Sequence, residues 1–118
     1  MTYKRLSESD YRLMSIIWEL EPLSSSELVK LCAERLGWKK STAYTMLKRI
    51  CEKGLAKNEE SVVTALADRN SVLEKESDLF VEQTFDGSLP CFLVSFLGGK
   101  KISPEEAEEL KKLIDSHT

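Results

Sequence analysis

The sequence predicts a mainly α-helical protein that also contains one small β-hairpin. In the first half of the chain, three segments place apolar residues at the helical spacing, and each ends at a proline or a glycine. Turn-prone and β-branched residues follow, and the helical pattern then returns for the rest of the chain. We therefore expect two domains, over residues 1–67 and 68–118.

The first helix is predicted within the stretch LSESDYRLMSIIWEL. Ser7 is placed to cap its N-terminus, and Asp10, three positions later, completes a capping box. Pro22 ends the helix because the residue before a proline avoids helical geometry. The apolar face consists of Tyr11, Met14, Ile17 and Trp18.

A short strand at Leu23 and a second helix come next. Ser24 or Ser25 is placed to cap this helix. Gly37 stops it, because glycine tolerates the left-handed conformation just beyond a helix end. The apolar stripe of the second helix consists of Leu28, Leu31, Cys32 and Leu36.

The third helix is predicted over residues 38–53, with Ser41 or Thr42 starting its regular part and Gly54 ending it. Its apolar positions follow the spacing of a core-facing helix and are Ala43, Met46, Leu47 and Ile50. At 100° per residue, a polar stripe points the opposite way; it consists of Ser41, Thr45, Lys48 and Glu52, flanked by Tyr44 and Arg49.

A hairpin and three more helices complete the predicted chain. Residues 58–61 are turn-prone, so we expect Ala56–Asn58 to pair with Val62–Leu66. The last of the three helices has the clearest start, because Ser103 is a capping residue and Pro104 suits the first helical position.

Charge is distributed unevenly along this acidic chain. The net charge is −3, yet residues 38–57 contain one acid, Glu52, and the six basic residues Lys39, Lys40, Lys48, Arg49, Lys53 and Lys57. A positive third helix in an acidic chain indicates a polyanionic partner. Three helices and a hairpin are also the element order of the winged helix, a helix-turn-helix variant whose second motif helix lies in the major groove of DNA.

The third helix therefore supplies the predicted DNA-binding residues. Hydroxyl groups near its N-terminus suit phosphate, since the free backbone N–H groups there also favour an anion. The two lysines just before the helix suit contacts with the DNA backbone. The predicted set is Lys39, Lys40, Ser41, Thr42, Tyr44, Thr45, Lys48 and Arg49.

The sequence does not indicate an enzyme, a metal site or a cofactor. The one histidine, His117, lies beside the C-terminus, so a nucleophilic serine or cysteine would have no histidine to act as its general base. Cys32, Cys51 and Cys91 show no metal-ligand spacing, and we expect three buried apolar side chains. We find no signal-peptide pattern and no apolar run long enough to span a bilayer, so we expect a cytoplasmic protein without membrane insertion.

Residues 68–118 carry more apolar surface than so short a segment can bury within itself. We therefore predict a homodimer that is formed by this half of the chain. The alternative is a three-helix bundle that packs on the first domain of the same chain. The predicted dimer contacts are Leu79, Phe80, Phe92, Leu93, Phe96, Leu97, Leu110, Leu113 and Ile114.

Three blocks of the sequence resemble the penicillinase-repressor family, which includes the methicillin-resistance and copper-responsive repressors. The predicted first helix is similar to the first helix of that family, with Asp10 at the position of the family's acidic residue. The segment from Phe85 to Ile114 resembles the second half of the family. WKKSTAYTMLKRICEKGL resembles the family's recognition helix at Trp38, Thr42, Thr45, Met46, Leu47, Arg49, Ile50, Lys53 and Gly54.

This resemblance implies a dimeric repressor that binds a palindromic double-stranded DNA operator and blocks transcription. It also implies induction by a membrane sensor protease that responds to β-lactams. In the drug-resistance branch the protease cuts before the phenylalanine of an Asn-Phe pair, and the matching bond here is Ser95–Phe96. The cysteine cluster of the copper-responsive branch is not reproduced.

Two other functions stay open at this point. A winged helix can serve as a protein-interaction module without DNA, and Glu59 and Glu60 favour this because phosphate contacts in the wing would need positive charge. A repressor could also be switched by a small molecule or a metal ion held in its second half.

Overall fold

The structure is a computed structural model that describes residues 5–118; residues 1–4 of the predicted first domain lie outside this range. The described chain is mainly helical with a small antiparallel sheet, which confirms the predicted fold class. The elements in chain order are α1 (Glu8–Leu20), β1 (Leu23–Ser24), α2 (Ser25–Leu36), α3 (Lys40–Glu52), β2 (Ala56–Glu59), β3 (Val62–Ala65), α4 (Arg69–Phe85), α5 (Leu89–Leu97) and α6 (Pro104–Ser116).

Local capping signals set the ends of the first two helices. The backbone N–H of Asp10 donates to Ser7 Oγ at 3.1 Å, and the backbone N–H of Ser7 donates to Asp10 Oδ2 at 3.0 Å. This reciprocal pair is the predicted capping box. Ser24 caps α2, and Gly37 ends it with φ +69, as the sequence predicts.

The start of α3 differs from the prediction. The helix begins at Lys40, and its N-cap is Lys39, whose side chain makes no capping hydrogen bond. Ser41 and Thr42 therefore do not start the helix but lie within its first turn. The reason is that Lys39 already has extended backbone angles (φ −66, ψ 152), so the turn from extended to helical backbone occurs before the hydroxyl residues.

The sheet has the order β1-β3-β2 and is antiparallel throughout. Ala56 is paired with Ala65 and Glu59 with Val62, which leaves a two-residue turn. Both turn residues have positive φ, 51 for Glu60 and 65 for Ser61, as a tight hairpin of this length requires. The sequence predicts this hairpin and a strand at β1, but not that β1 joins β3.

A single hydrophobic cluster holds the three N-terminal helices and the sheet together. Every element from α1 to β3 contributes to it, and α4 adds Val72. The largest fully buried side chains include Leu13, Met14, Ile17, Leu28, Ile50 and Val63. The cluster fixes one side of α3 and thereby determines which of its residues face outward.

The chain divides into two compact units, residues 1–80 and 81–118. The division falls within α4, whereas the sequence predicts a boundary after residue 67. The first part of α4 belongs to the first unit because Val72 is buried there and Arg69 donates a hydrogen bond to the Tyr11 hydroxyl at 3.2 Å. The backbone N–H of Leu6 also donates to a carboxylate oxygen of Glu76 at 2.7 Å.

The second unit contains the end of α4, α5 and α6. Phe92 contacts Phe85 and Phe96, with ring centroids 5.5 and 5.7 Å apart. None of the residues 81–118 is fully buried within the chain. Among the described residues, no helix combines the length and the apolar character needed to cross a membrane.

Candidate nucleic-acid interface

The outer face of α3 is the candidate interface. Ala43, Leu47 and Ile50 are buried in the core, so the polar side of the helix faces solvent. This orientation follows from the apolar spacing in the sequence. The structure brings all the predicted DNA-binding residues to the surface of this helix and its N-cap, and the exposed set is Lys39, Lys40, Ser41, Thr42, Tyr44, Thr45, Lys48 and Arg49.

The N-terminus of α3 offers backbone donors to an anion. Because Lys39 makes no side-chain capping bond, the N–H groups of the first turn have no side-chain acceptor at this cap. These groups and the helix dipole favour a negatively charged ligand. The Thr45 hydroxyl, unlike these N–H groups, is not a free donor, because it donates to the Ser41 carbonyl oxygen at 2.9 Å. Thr45 can therefore offer DNA an acceptor or a methyl contact.

A buried carboxylate anchors the other end of α3. Asp10, on α1, is fully buried, and Lys53 Nζ lies 2.6 Å from its Oδ2. Burial by itself raises the pKa of Asp10, but hydrogen bonds from Lys53 and Ser7 and the Lys53 charge outweigh it, so the pKa lies below its ordinary value of 3.8. The ion pair therefore ties the N-terminus of α1 to the C-terminus of α3.

Arg49 also belongs to this anchor. Its Nε lies 3.6 Å from Asp10 Oδ1, an oxygen that accepts no hydrogen bond. The Arg49 side chain is nevertheless 50% exposed, so the guanidinium is held by Asp10 and still open to a ligand. Sequence reasoning assigned Arg49 to DNA alone and left Asp10 and Lys53 out of the site, although both lie at positions that match the family pattern.

The hairpin tip carries negative charge. Glu59 and Glu60 are exposed, and the nearby Lys57 Nζ lies 3.6 Å from a Glu59 carboxylate oxygen. The two carboxylates of this tip would repel phosphate groups unless the Lys57–Glu59 ion pair rearranges. The hairpin tip is therefore less suited to an anion than α3, where Lys40, Lys48 and Arg49 are exposed.

The predicted dimer residues are distributed over both units. Leu79 and Phe80 lie in the first unit, and the others lie in the second. Phe80, Phe96, Leu110, Leu113 and Ile114 are exposed. Leu79, Phe92, Leu93 and Leu97 are half-buried.

The Ser95–Phe96 bond lies in the last turn of α5. Phe96 is 58% exposed, and Lys100 Nζ lies 5.3 Å from the centre of its ring. Gly98 ends the helix two residues later with φ +49.

The three cysteines lie in different surroundings. Cys32 is buried, and burial raises the pKa of its thiol. Cys51 is half-buried, and burial together with the nearby Glu52 charge raises its pKa. The prediction of three buried side chains is confirmed for Cys32, holds only in part for Cys51 and is wrong for Cys91, which is exposed. Cys91 lies on α5, where the chain itself buries no residue fully. The described residues form no cluster that could hold a metal ion.

Comparison with protein families shows which family the chain belongs to. The profile of the penicillinase repressor family matches residues 6–116. The chain belongs to the penicillinase repressor family. The penicillinase repressor of Bacillus licheniformis is 26% identical over 117 residues, which are 96% of this chain and 91% of that protein. The methicillin resistance regulatory protein MecI of Staphylococcus aureus is 22% identical over 118 residues, 97% of this chain and 95% of MecI.

Two solved structures are similar to this member of the penicillinase repressor family. The DNA-binding domain of the repressor BlaI has a TM-score of 0.53 and 24% identity, covering 58% of this chain and 88% of that domain. Bacillus licheniformis BlaI, solved as a monomeric form with the blaP half-operator, has a TM-score of 0.51 and 25% identity over 58% of this chain and 89% of that one. These matches confirm the winged-helix fold. Membership of a repressor family also confirms that the chain is not an enzyme.

Proposed function

We propose that this protein is a transcriptional repressor that binds a double-stranded DNA operator through α3. The observation that carries the proposal is the exposed cationic face of α3 on a winged-helix core. The penicillinase repressor family supports it, as does the BlaI structure that contains a half-operator. The MecI and penicillinase-repressor relatives favour target genes that serve resistance to β-lactams.

The chemistry of α3 suggests a division of labour along the helix. The major groove of B-DNA, about 12 Å wide, admits one α-helix. Lys39, Lys40 and the free N–H groups of the first turn suit phosphate, which fixes the register of the protein. Ser41, Thr45 and Lys48 lie along the middle of the outer face, where side chains reach base edges.

We further propose that the repressor is a homodimer and that residues beyond α3 and the sheet form the dimer contacts. The support is the apolar surface of α5 and α6, where Phe96 and Leu113 are 58% and 57% exposed. Surfaces of this kind mark interaction sites in soluble proteins. A two-fold dimer fits a palindromic operator whose half-sites lie roughly 34 Å apart, one helical turn of DNA.

A salt titration tests DNA binding directly. The full-length protein is incubated with a random pool of duplexes, and the affinity for the selected duplex is measured by fluorescence anisotropy at several salt concentrations. We expect log K to fall linearly with log[salt], by about 0.9 for each neutralised phosphate. Lys48→Ala should weaken binding, whereas the matched control Arg12→Ala, which removes an exposed cation from α1, should not. A flat salt response would favour the protein-interaction module, the alternative that the acidic wing supports.

Induction by proteolysis is the final part of the proposal. A membrane sensor protease would cut the Ser95–Phe96 bond, and the exposed Phe96 ring would be accessible to it. Mass spectrometry of the repressor from β-lactam-treated cells should find a fragment that ends at Ser95. An intact chain in derepressed cells would instead favour a small-molecule or metal effector.

A further inference from the structure

One face of α4 is held against the rest of the first unit along the first part of the helix. Val72 is buried, and the Arg69 guanidinium donates to the Tyr11 hydroxyl at 3.2 Å. Arg69, Val72, Glu76 and Phe80 are three or four positions apart, which is the spacing of one helix face. At 1.5 Å per residue, the stretch from Arg69 to Phe80 is about 16 Å long.

Glu76 links this face of α4 to the segment that precedes α1. Its Oε1 accepts a hydrogen bond from the backbone N–H of Leu6 at 2.7 Å, and its Oε2 lies 3.4 Å from Arg5 Nε. The Arg5 guanidinium also lies 5.5 Å from the centre of the Phe80 ring, one turn further along α4. We call these four residues, Arg5, Leu6, Glu76 and Phe80, the α4 clasp.

The α4 clasp is fixed to the winged-helix core at its other end. Leu6 packs against the hydrophobic cluster, and the next residue, Ser7, forms the capping box with Asp10 at the start of α1. The Glu76 side chain is only 17% exposed, so water competes little for its carboxylate, and hydrogen bonds to a charged acceptor are stronger than neutral ones. The clasp therefore hinders α4 from pivoting about its first turn.

The direction of α4 matters for a dimer. The residues of α4 connect the core that carries α3 to the predicted dimer contacts, which begin at Leu79. A stiff connection between two binding modules concentrates binding at one separation of their sites, whereas a loose connection spreads it over many. One additional base pair between two half-sites moves the second by about 3.4 Å and turns it by about 34° around the DNA axis.

We infer that Glu76 is a positioning residue for operator recognition: by holding α4 on the winged-helix core, the α4 clasp determines which half-site separation the dimer prefers. Glu76 does this without contacting DNA. The affinity for a single half-site depends on α3 and should not depend on Glu76. The inference rests on the proposed function, because it requires a dimer that occupies two half-sites.

The test compares Glu76→Ala with Glu74→Ala in the full-length protein by fluorescence anisotropy. Glu74 is the matched control because it is an exposed glutamate on the same helix. The DNA probes are the selected duplex, the same duplex with one additional base pair between the half-sites, and a single half-site. The insertion should weaken binding by about tenfold or more for the wild type and Glu74→Ala, but by less than about threefold for Glu76→Ala. The affinity for the single half-site should be the same in all three proteins.

Two milder variants keep the test decisive if Glu76→Ala does not fold. Glu76→Gln can still accept the hydrogen bond from the Leu6 N–H, so it should retain most of the separation preference. Arg5→Ala removes the ion pair and the contact with the Phe80 ring, so it should reduce the preference in the same direction as Glu76→Ala. A purely structural role of the clasp would lower the melting temperature without changing the preference.

The outcomes separate the inference from the proposed function. If the wild type selects no duplex, or a duplex with a single half-site, the proposed function fails and the inference fails with it. If the wild type prefers one separation and the folded clasp variants keep that preference, only the inference is overturned. A wild type that tolerates the insertion would overturn it as well. An equal loss of affinity for every probe, including the single half-site, would indicate damage to the core and would also overturn the inference.

Discussion

Replacing Asp10 with alanine should destabilise the first unit by about 3 kcal/mol. The substitution removes the carboxylate that Lys53 contacts at 2.6 Å and that Arg49 approaches at 3.6 Å. It also removes the acceptor for the backbone N–H of Ser7 and thus half of the capping box. Among the described residues, α3 and its C-cap would lose their only ion-paired link to α1.

The magnitude follows from burial. Removing one partner of a buried ion pair lowers the free energy of unfolding by about 3–5 kcal/mol, because the other charge stays buried without compensation. Lys53 is 17% exposed and can recover part of its hydration, so the lower end of that range applies. Since 1 kcal/mol shifts the melting temperature of a small domain by about 4–8 °C, the expected drop is at least about 12 °C.

Urea unfolding followed by tryptophan fluorescence measures this change. Trp18 and Trp38, the two tryptophans of the chain, both belong to the first unit, so the signal reports on that unit alone. The matched control is Glu8→Ala, which removes a carboxylate from the same helical turn and breaks an exposed pair with Arg12 at 2.7 Å. That pair should contribute less than about 1 kcal/mol.

A double-mutant cycle isolates the ion pair. Lys53→Met alone leaves the Asp10 carboxylate buried without its main partner, so it should also be destabilising. The double variant should be less destabilised than the sum of the two single variants, with a coupling energy above about 1 kcal/mol. Equal losses for Asp10→Ala and Glu8→Ala, or additive single effects, would refute the anchoring role of Asp10.

Three further predictions concern pH, the wing and the dimer. Because the pKa of Asp10 is lowered on folding, its stabilisation is present above pH 3.8 and lost as pH falls through the folded pKa. Thermal melts at falling pH should show this loss, and Asp10→Asn should remove it. Glu60→Lys should raise DNA affinity up to about eightfold near 0.1 M salt in anisotropy titrations, since it replaces repulsion by a possible phosphate contact; unchanged affinity would place the wing away from DNA. Leu113→Asp should convert a dimer to a monomer in sedimentation velocity, whereas Ser116→Asp on the same helix should not; a wild-type monomer would exclude the proposed dimer.

Local signals made most helix boundaries predictable. Ser7 with Asp10 marks the start of α1, Gly37 the end of α2, and Ser103 the start of α6, because each residue acts on backbone groups within one turn. The inward and outward faces of α3 were predictable for a similar reason, since a 3.6-residue period fixes them once the helix has a core to face.

Contacts between distant elements were not predictable from these signals. Asp10 and Lys53 are 43 positions apart, and periodicity does not reveal which helix ends will meet. Sequence reasoning therefore identified the outward residues of α3 but missed the ion pair that holds the helix in place.

The proposed repressor should depend on dimerisation more strongly than a winged helix with a basic wing. The hairpin tip of this chain carries Glu59 and Glu60, so each half-site contact relies on α3. Few phosphate contacts give weak binding at physiological salt. Two linked half-sites can increase the overall affinity by 10²–10⁴ without any new contact, because the second binding event becomes intramolecular. A cut in α5 that separates the two copies would then release the operator while leaving every DNA-contacting residue of α3 unchanged.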